Sequence, residues 1–128
     1  MRNVLITIGI VAMTAVALAV TPAKQGKTAV EGGDVKVTGK LTCTYCRLAH
    51  PGKDCKKGCC SGCIKSGDPA ILTDDEGNMY VLLNKEIKRP LMDAQKLALA
   101  GSRVEVTGTM AKGQGVQAIF VENMKKTE

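Results

Sequence analysis

From Asp34 onward, apolar and polar side chains alternate. Val35, Val37, Leu41 and Cys43 share one phase, and Lys36, Thr38, Lys40 and Thr42 fill the other. A period of two places one set on a buried face and the other toward water, which predicts a half-buried strand. Gly39 falls in the apolar phase and predicts a bend or bulge in this long first strand. Ala70–Thr73 predicts a short second strand. Residues 74–78 form an acidic turn with Gly77 where a hairpin needs a positive φ, and residues 79–83 return as the third strand. Residues 93–100 are strong helix formers, with Asp93 as N-cap and Gly101 as C-cap. Alternation resumes over 103–110, with Val104, Val106 and Met110 in phase. A turn at 112–115 then leads into a last strand over 116–124.

The interval 44–69 fits neither period. It holds five of the six cysteines, two of the four prolines and the only histidine, and it predicts a long irregular loop held by cross-links or metal. The order is therefore strand, Cys-rich loop, strand, strand, short helix, strand, strand. This predicts an all-β domain with one short helix: a five-stranded OB-fold-like Greek-key barrel over residues 34–126, with the Cys-rich loop 43–69 between strands one and two. The form Val-x-Val-Thr-Gly occurs at 35–39 and again at 104–108, which marks two similar strands of one barrel.

The first residues read differently. Arg2 precedes an apolar run from Val4 to Val20, which ends in Ala17-Leu18-Ala19. A positive start, an apolar stretch and a small-x-small site are the features of a secretory signal peptide over 1–19, with a second possible cut after Ala23. The alternative is a retained inner-membrane anchor, for which the run is at the short end of the roughly 20 residues a span needs. Residues 20–33 are small and polar and read as a flexible linker. The expected location is the bacterial periplasm or the exterior, with membrane contact only if the first segment is retained.

Six cysteines then dominate the chemistry, spaced Cys43-x2-Cys46-x8-Cys55-x3-Cys59-Cys60-x2-Cys63. Two Cys-x-x-Cys pairs stand out, Cys43 with Cys46 and Cys60 with Cys63. Two intervening residues let both sulfurs of a pair turn to one point, as a tetrahedral thiolate site requires. These four are the first candidate ligands, followed by Cys59, Cys55 and His50. Cys55, Cys59 and Cys63 lie four apart and would share one face if a helix formed, although Gly58 and Gly62 oppose one. Soft thiolates favour zinc or copper(I) over calcium or magnesium. The competing reading is disulfide stapling without metal, the usual fate of an even number of cysteines in an exported domain. Six cysteines allow fifteen pairings, and spacing does not choose among them.

The stretch from Asp34 to Lys126 resembles small exported bacterial OB-fold-like proteins. The matching features are a strand ending in Cys43, and Cys59 and Cys63 within a segment closing on Gly67-Asp68-Pro69. A short strand and hairpin follow, and then the run from Leu99 to Gly108. The resemblance implies a fold and a compartment, not an activity. Cys46, Cys55 and Cys60 are additions to its pattern.

Composition narrows the remaining classes. Formal charge is +6, but the cations are scattered, and Tyr45, Tyr80 and Phe120 are the only aromatics. Nucleic-acid binding is not expected, since it wants clustered cations interleaved with stacking side chains. Neither Cys-x-x-Cys pair is followed by histidine, because Arg47 and Ile64 stand there, so covalent haem attachment is not expected. The βαβ unit of a thioredoxin-like redox site is missing. With one histidine and no nucleophile or phosphate-loop motif, the sequence predicts a protein that is not an enzyme. The expected partners are a metal ion and another envelope protein.

Overall fold

A computed structural model describes residues 32–128. The expected signal peptide or anchor at 1–19, and most of the linker expected at 20–33, lie outside the described residues. The elements are β1 (Asp34–Cys43), α1 (Thr44–Ala49), α2 (Lys57–Lys65), β2 (Ala70–Thr73), β3 (Met79–Asn84), α3 (Ala94–Leu97), β4 (Arg103–Gly113) and β5 (Val116–Lys126). The five strands close into a barrel in the order β1-β2-β3-β5-β4. All neighbours are antiparallel except β3 and β5, which run parallel. This is the expected OB order, with the Cys-rich segment between β1 and β2. Among the described residues, no helix is long and apolar enough to cross a membrane.

The alternation read from the sequence becomes the barrel interior. Along β4, Val104, Val106, Gly108 and Met110 point inward in strict alternation. Leu41, Leu72, Ile119, Val104 and Val106 are fully buried. Each such aliphatic side chain stabilises the fold by roughly 1.5–3 kcal/mol relative to exposure. With so few aromatics, these side chains and Met110, Met124 and Leu82 fill the centre.

The two Val-x-Val-Thr-Gly segments face each other. Val37 pairs with Val106, Val35 with Gly108 and Gly39 with Val104 across the β1–β4 ladder. β1 is unbroken at Gly39, but there it changes partner: residues 34–40 pair with β4 and residues 40–43 with β2. A side chain at Gly39 would place its Cβ 2.4 Å from the Thr73 carbonyl oxygen, so the crossover needs a residue with none. Gly108 is the counterpart. It sits at a register shift between β4 and β5, where a Cβ would lie 2.1 Å from the Phe120 carbonyl oxygen.

Two local expectations are corrected. The interval 44–69 is not irregular: it contains α1 and α2, so the domain carries three short helices in place of one. α1 starts because Cys43 caps it, its Sγ accepting the Cys46 N–H at 3.4 Å. α2 forms despite Gly58 and Gly62 because Cys60 and Ile64, four apart, are buried against the core. Tertiary burial here outweighs intrinsic propensity. The ends of the interval are tied together where the Thr44 N–H and Oγ1 both donate to the Pro69 carbonyl, at 3.0 and 2.9 Å. The helix expected over 93–100 is shorter, only Ala94–Leu97, with Asp93 capping it through the Lys96 N–H. Beyond it, the Leu99 and Ala100 N–H groups bond three residues back. The chain then docks on β1 through Gly101 N–H to Leu41 O at 2.7 Å and Leu41 N–H to Ser102 O at 3.0 Å. That docking ends the helix and starts β4.

Candidate metal centre

The thiols are positioned by three elements. β1 ends at Cys43, whose side chain is fully buried. One turn of α1 later comes Cys46, also buried. α2 then carries Cys59, exposed, and Cys63, half-buried, one turn apart on one face. The Sγ atoms of Cys43, Cys46 and Cys63 all lie within 4.8 Å of one another. A second group shares Cys46: the Sγ atoms of Cys46, Cys55 and Cys59 lie within the same limit, with Cys46 and Cys59 3.6 Å apart. Sulfurs held at the usual zinc–thiolate length around a tetrahedral ion are about 3.8 Å apart. The Cys46–Cys59 separation is just under that figure and the common limit about 1 Å over it, so these sulfurs could hold a metal ion.

Cys55 and Cys60 are joined by a disulfide, while Cys43, Cys46, Cys59 and Cys63 are free. Of the first four candidate ligands, Cys43, Cys46 and Cys63 are brought together. Cys60 faces the core beside Ile64 and belongs to neither thiol group. Cys59 lies beside Cys46. Cys55 precedes α2, so of the three cysteines spaced by four only Cys59 and Cys63 share a helical face. The pairing of Cys55 with Cys60 was open at the level of sequence. Its one signal was Cys60 at i−4 from Ile64, an apolar stripe that turns Cys60 away from Cys59 and Cys63.

The electrostatics of the pocket favour neutral thiols in the absence of a cation. Hydrogen bonds with Cys43 and then Cys59, followed by burial, push the Cys46 thiol far above the ordinary cysteine range. Burial, followed by the hydrogen bond with Cys43, raises Cys63. Each thiolate formed there lacks a positive partner among its sulfur neighbours, and a soft cation supplies one. His50 is exposed at the end of α1, its ring edge-on to Tyr45 with centroids 6.4 Å apart. It lines a cavity of about 290 Å³ with Cys46, Cys55, Cys59, Lys53, Asp54 and Lys56. An ion pair between Lys40 on β1 and Asp54 fixes the linker between α1 and α2 to the barrel. The sequence alone gave no signal for that contact.

No protein-family model, curated protein or solved structure matches this chain. The site therefore rests on its own geometry: a small OB-type barrel whose β1–β2 connection carries a cluster of free thiols beside one disulfide.

Proposed function

We propose that the protein is a non-enzymatic, exported component of the bacterial envelope that binds a thiophilic metal ion, zinc or copper(I). Cys43, Cys46 and Cys63 are its ligands, and Cys59 lies beside Cys46 as a further thiol outside that set. The observation that carries the reading is the convergence of three free sulfurs from β1, α1 and α2 at one end of the closed barrel. A rigid scaffold with ligands from separate elements is what preorganised metal binding needs. Buffering or delivery of the ion, or support of a face that docks another envelope protein, would follow from such a site.

A second reading, a disulfide-stapled binding module without metal, is favoured by one observation: the Cys55–Cys60 bridge. The two differ in thiol state. Protein purified without reductant or chelator is analysed for bound metals by elemental analysis and for alkylatable thiols by mass. One zinc or copper per chain, with four reactive thiols after metal removal, supports metal binding. No metal and no free thiols would overturn it in favour of the stapled module.

A further inference from the structure

The two sulfur groups share one atom. Cys46 Sγ belongs both to the set with Cys43 and Cys63 and to the set with Cys55 and Cys59. A shared thiolate between two ligand sets is the arrangement of a bridged two-metal cluster. One of the five donors, Cys55, is meanwhile held in a disulfide with Cys60, and a disulfide sulfur is not a thiolate ligand. We propose that reduction of the Cys55–Cys60 disulfide opens a second copper(I) site at Cys46, Cys55 and Cys59, so that the oxidised chain holds one ion and the reduced chain holds two, bridged by Cys46.

The count of donors selects the metal. Two tetrahedral zinc ions sharing one ligand need more donors than the five sulfurs present. Two copper(I) ions, each content with three thiolates, need those five when one is shared. The surroundings suit a sulfur-rich anion. Five thiolates outweigh two monovalent cations, and Lys53 and Lys56 outnumber Asp54 in the lining of the cavity that contains Cys46, Cys55 and Cys59. His50 lines the same cavity and is the one further soft donor there. Cys60 does not compete, because its side chain is fully buried on the core side of α2.

The redox step balances with a dithiol as reductant. Its thiolate attacks the Cys55–Cys60 bond, the S–S bond breaks, and two electrons and two protons appear as two thiols on the protein. The reductant leaves as its own disulfide. Cys55 then gives its proton to solvent as copper(I) takes its place. The metal count thus becomes a readout of the thiol–disulfide poise around the protein.

The proposal rests on the metal reading above, and the test separates the two. The protein as purified from cells without reductant is loaded under argon with copper(I) as its acetonitrile complex, with and without prior treatment by a dithiol that is then removed. Ions per chain are counted by native mass spectrometry, and X-ray absorption fine structure is recorded on the loaded sample. The expected result is one ion for the oxidised chain and two for the reduced chain, with a copper–copper vector only in the latter. Cys60→Ser is expected to take two ions without dithiol, and Cys55→Ser one ion in either state, both with the wild-type circular dichroism spectrum. One ion in both states of the wild type overturns the second site and leaves the first standing. Two ions in both states overturn the redox gate, and two ions without a copper–copper vector overturn the bridge. No copper in either state overturns the metal reading itself.

Discussion

The substitution Gly39→Ala tests whether the change of partner along β1 depends on a missing side chain. A Cβ at this position would lie 2.4 Å from the Thr73 carbonyl oxygen, 2.8 Å from its carbon and 3.1 Å from the Asp74 nitrogen. All three are backbone atoms, so no side-chain rotation relieves the contact. A carbon–oxygen approach of about 3.3 Å is the nearest that is comfortable, so β1 and β2 must part by about 1 Å. Lys40 and Thr73 form the terminal pair of that ladder, and the separation weakens a hydrogen bond worth about 1 kcal/mol. Overpacking strain adds about 1–3 kcal/mol. Alanine returns about 0.5 kcal/mol by restricting the unfolded chain. The net loss is about 2.5 kcal/mol, which for a domain of this size lowers Tm by roughly 10–20 °C. The assay is thermal denaturation followed by circular dichroism at neutral pH, with chelator present and the disulfide intact in both proteins. A fall of less than about 3 °C would refute the claim that the crossover requires glycine.

The same substitution in α2 should have the opposite sign: nothing lies within 4 Å of a Cβ at Gly62, in the middle of the helix, so Gly62→Ala should raise stability by about 0.5–1 kcal/mol in urea titrations. Cys43→Ser removes a proposed ligand anchored at the end of β1. It should weaken zinc or copper(I) binding by more than about 100-fold in competition with a chromophoric chelator, while the barrel still melts cooperatively. Replacing Cys55 and Cys60 together by alanine opens a loop of sequence separation 5 and should cost about 2 kcal/mol relative to the oxidised wild type, read from the urea midpoint. The Asp74 carboxylate accepts from the Asn78 side chain, the Asn78 and Glu76 N–H groups and the Tyr80 hydroxyl. With Asn78 as the largest contributor, its pKa is held below the ordinary value. A depressed carboxyl contributes stability that is present above its unfolded pKa and lost as pH falls through the folded one. Asp74→Asn should therefore lower Tm at pH 7, and the difference from wild type should shrink on acidification below about pH 4. A gap that is constant with pH would refute the role of the charge.

What the sequence determined was the barrel. The period-two runs at 34–43 and 103–110 could bury their apolar phase only as strands, and the order of strands, turns and helix matched one closed topology. The twin Val-x-Val-Thr-Gly segments announced two equivalent strands, and both glycines proved to sit where a neighbouring carbonyl leaves no room for a Cβ. These features are local and periodic, so they are written into neighbouring residues.

The thiol arrangement was decided by tertiary contacts. Spacing offered Cys43, Cys46, Cys60 and Cys63 as two like pairs, but α2 presents Cys59 and Cys63 to the site and turns Cys60 into the core with Ile64. A helix of glycine-poor propensity would have been visible in the sequence. This one persists only because the barrel end buries two of its side chains. Which sulfurs meet depends on how residues 44–69 fold back between Thr44 and Pro69, and no local pattern encodes that return. Cys46 becomes the shared atom of both sulfur groups because its one-turn helix is capped by Cys43 and faced by α2, a juxtaposition of three elements that exists only in the folded chain.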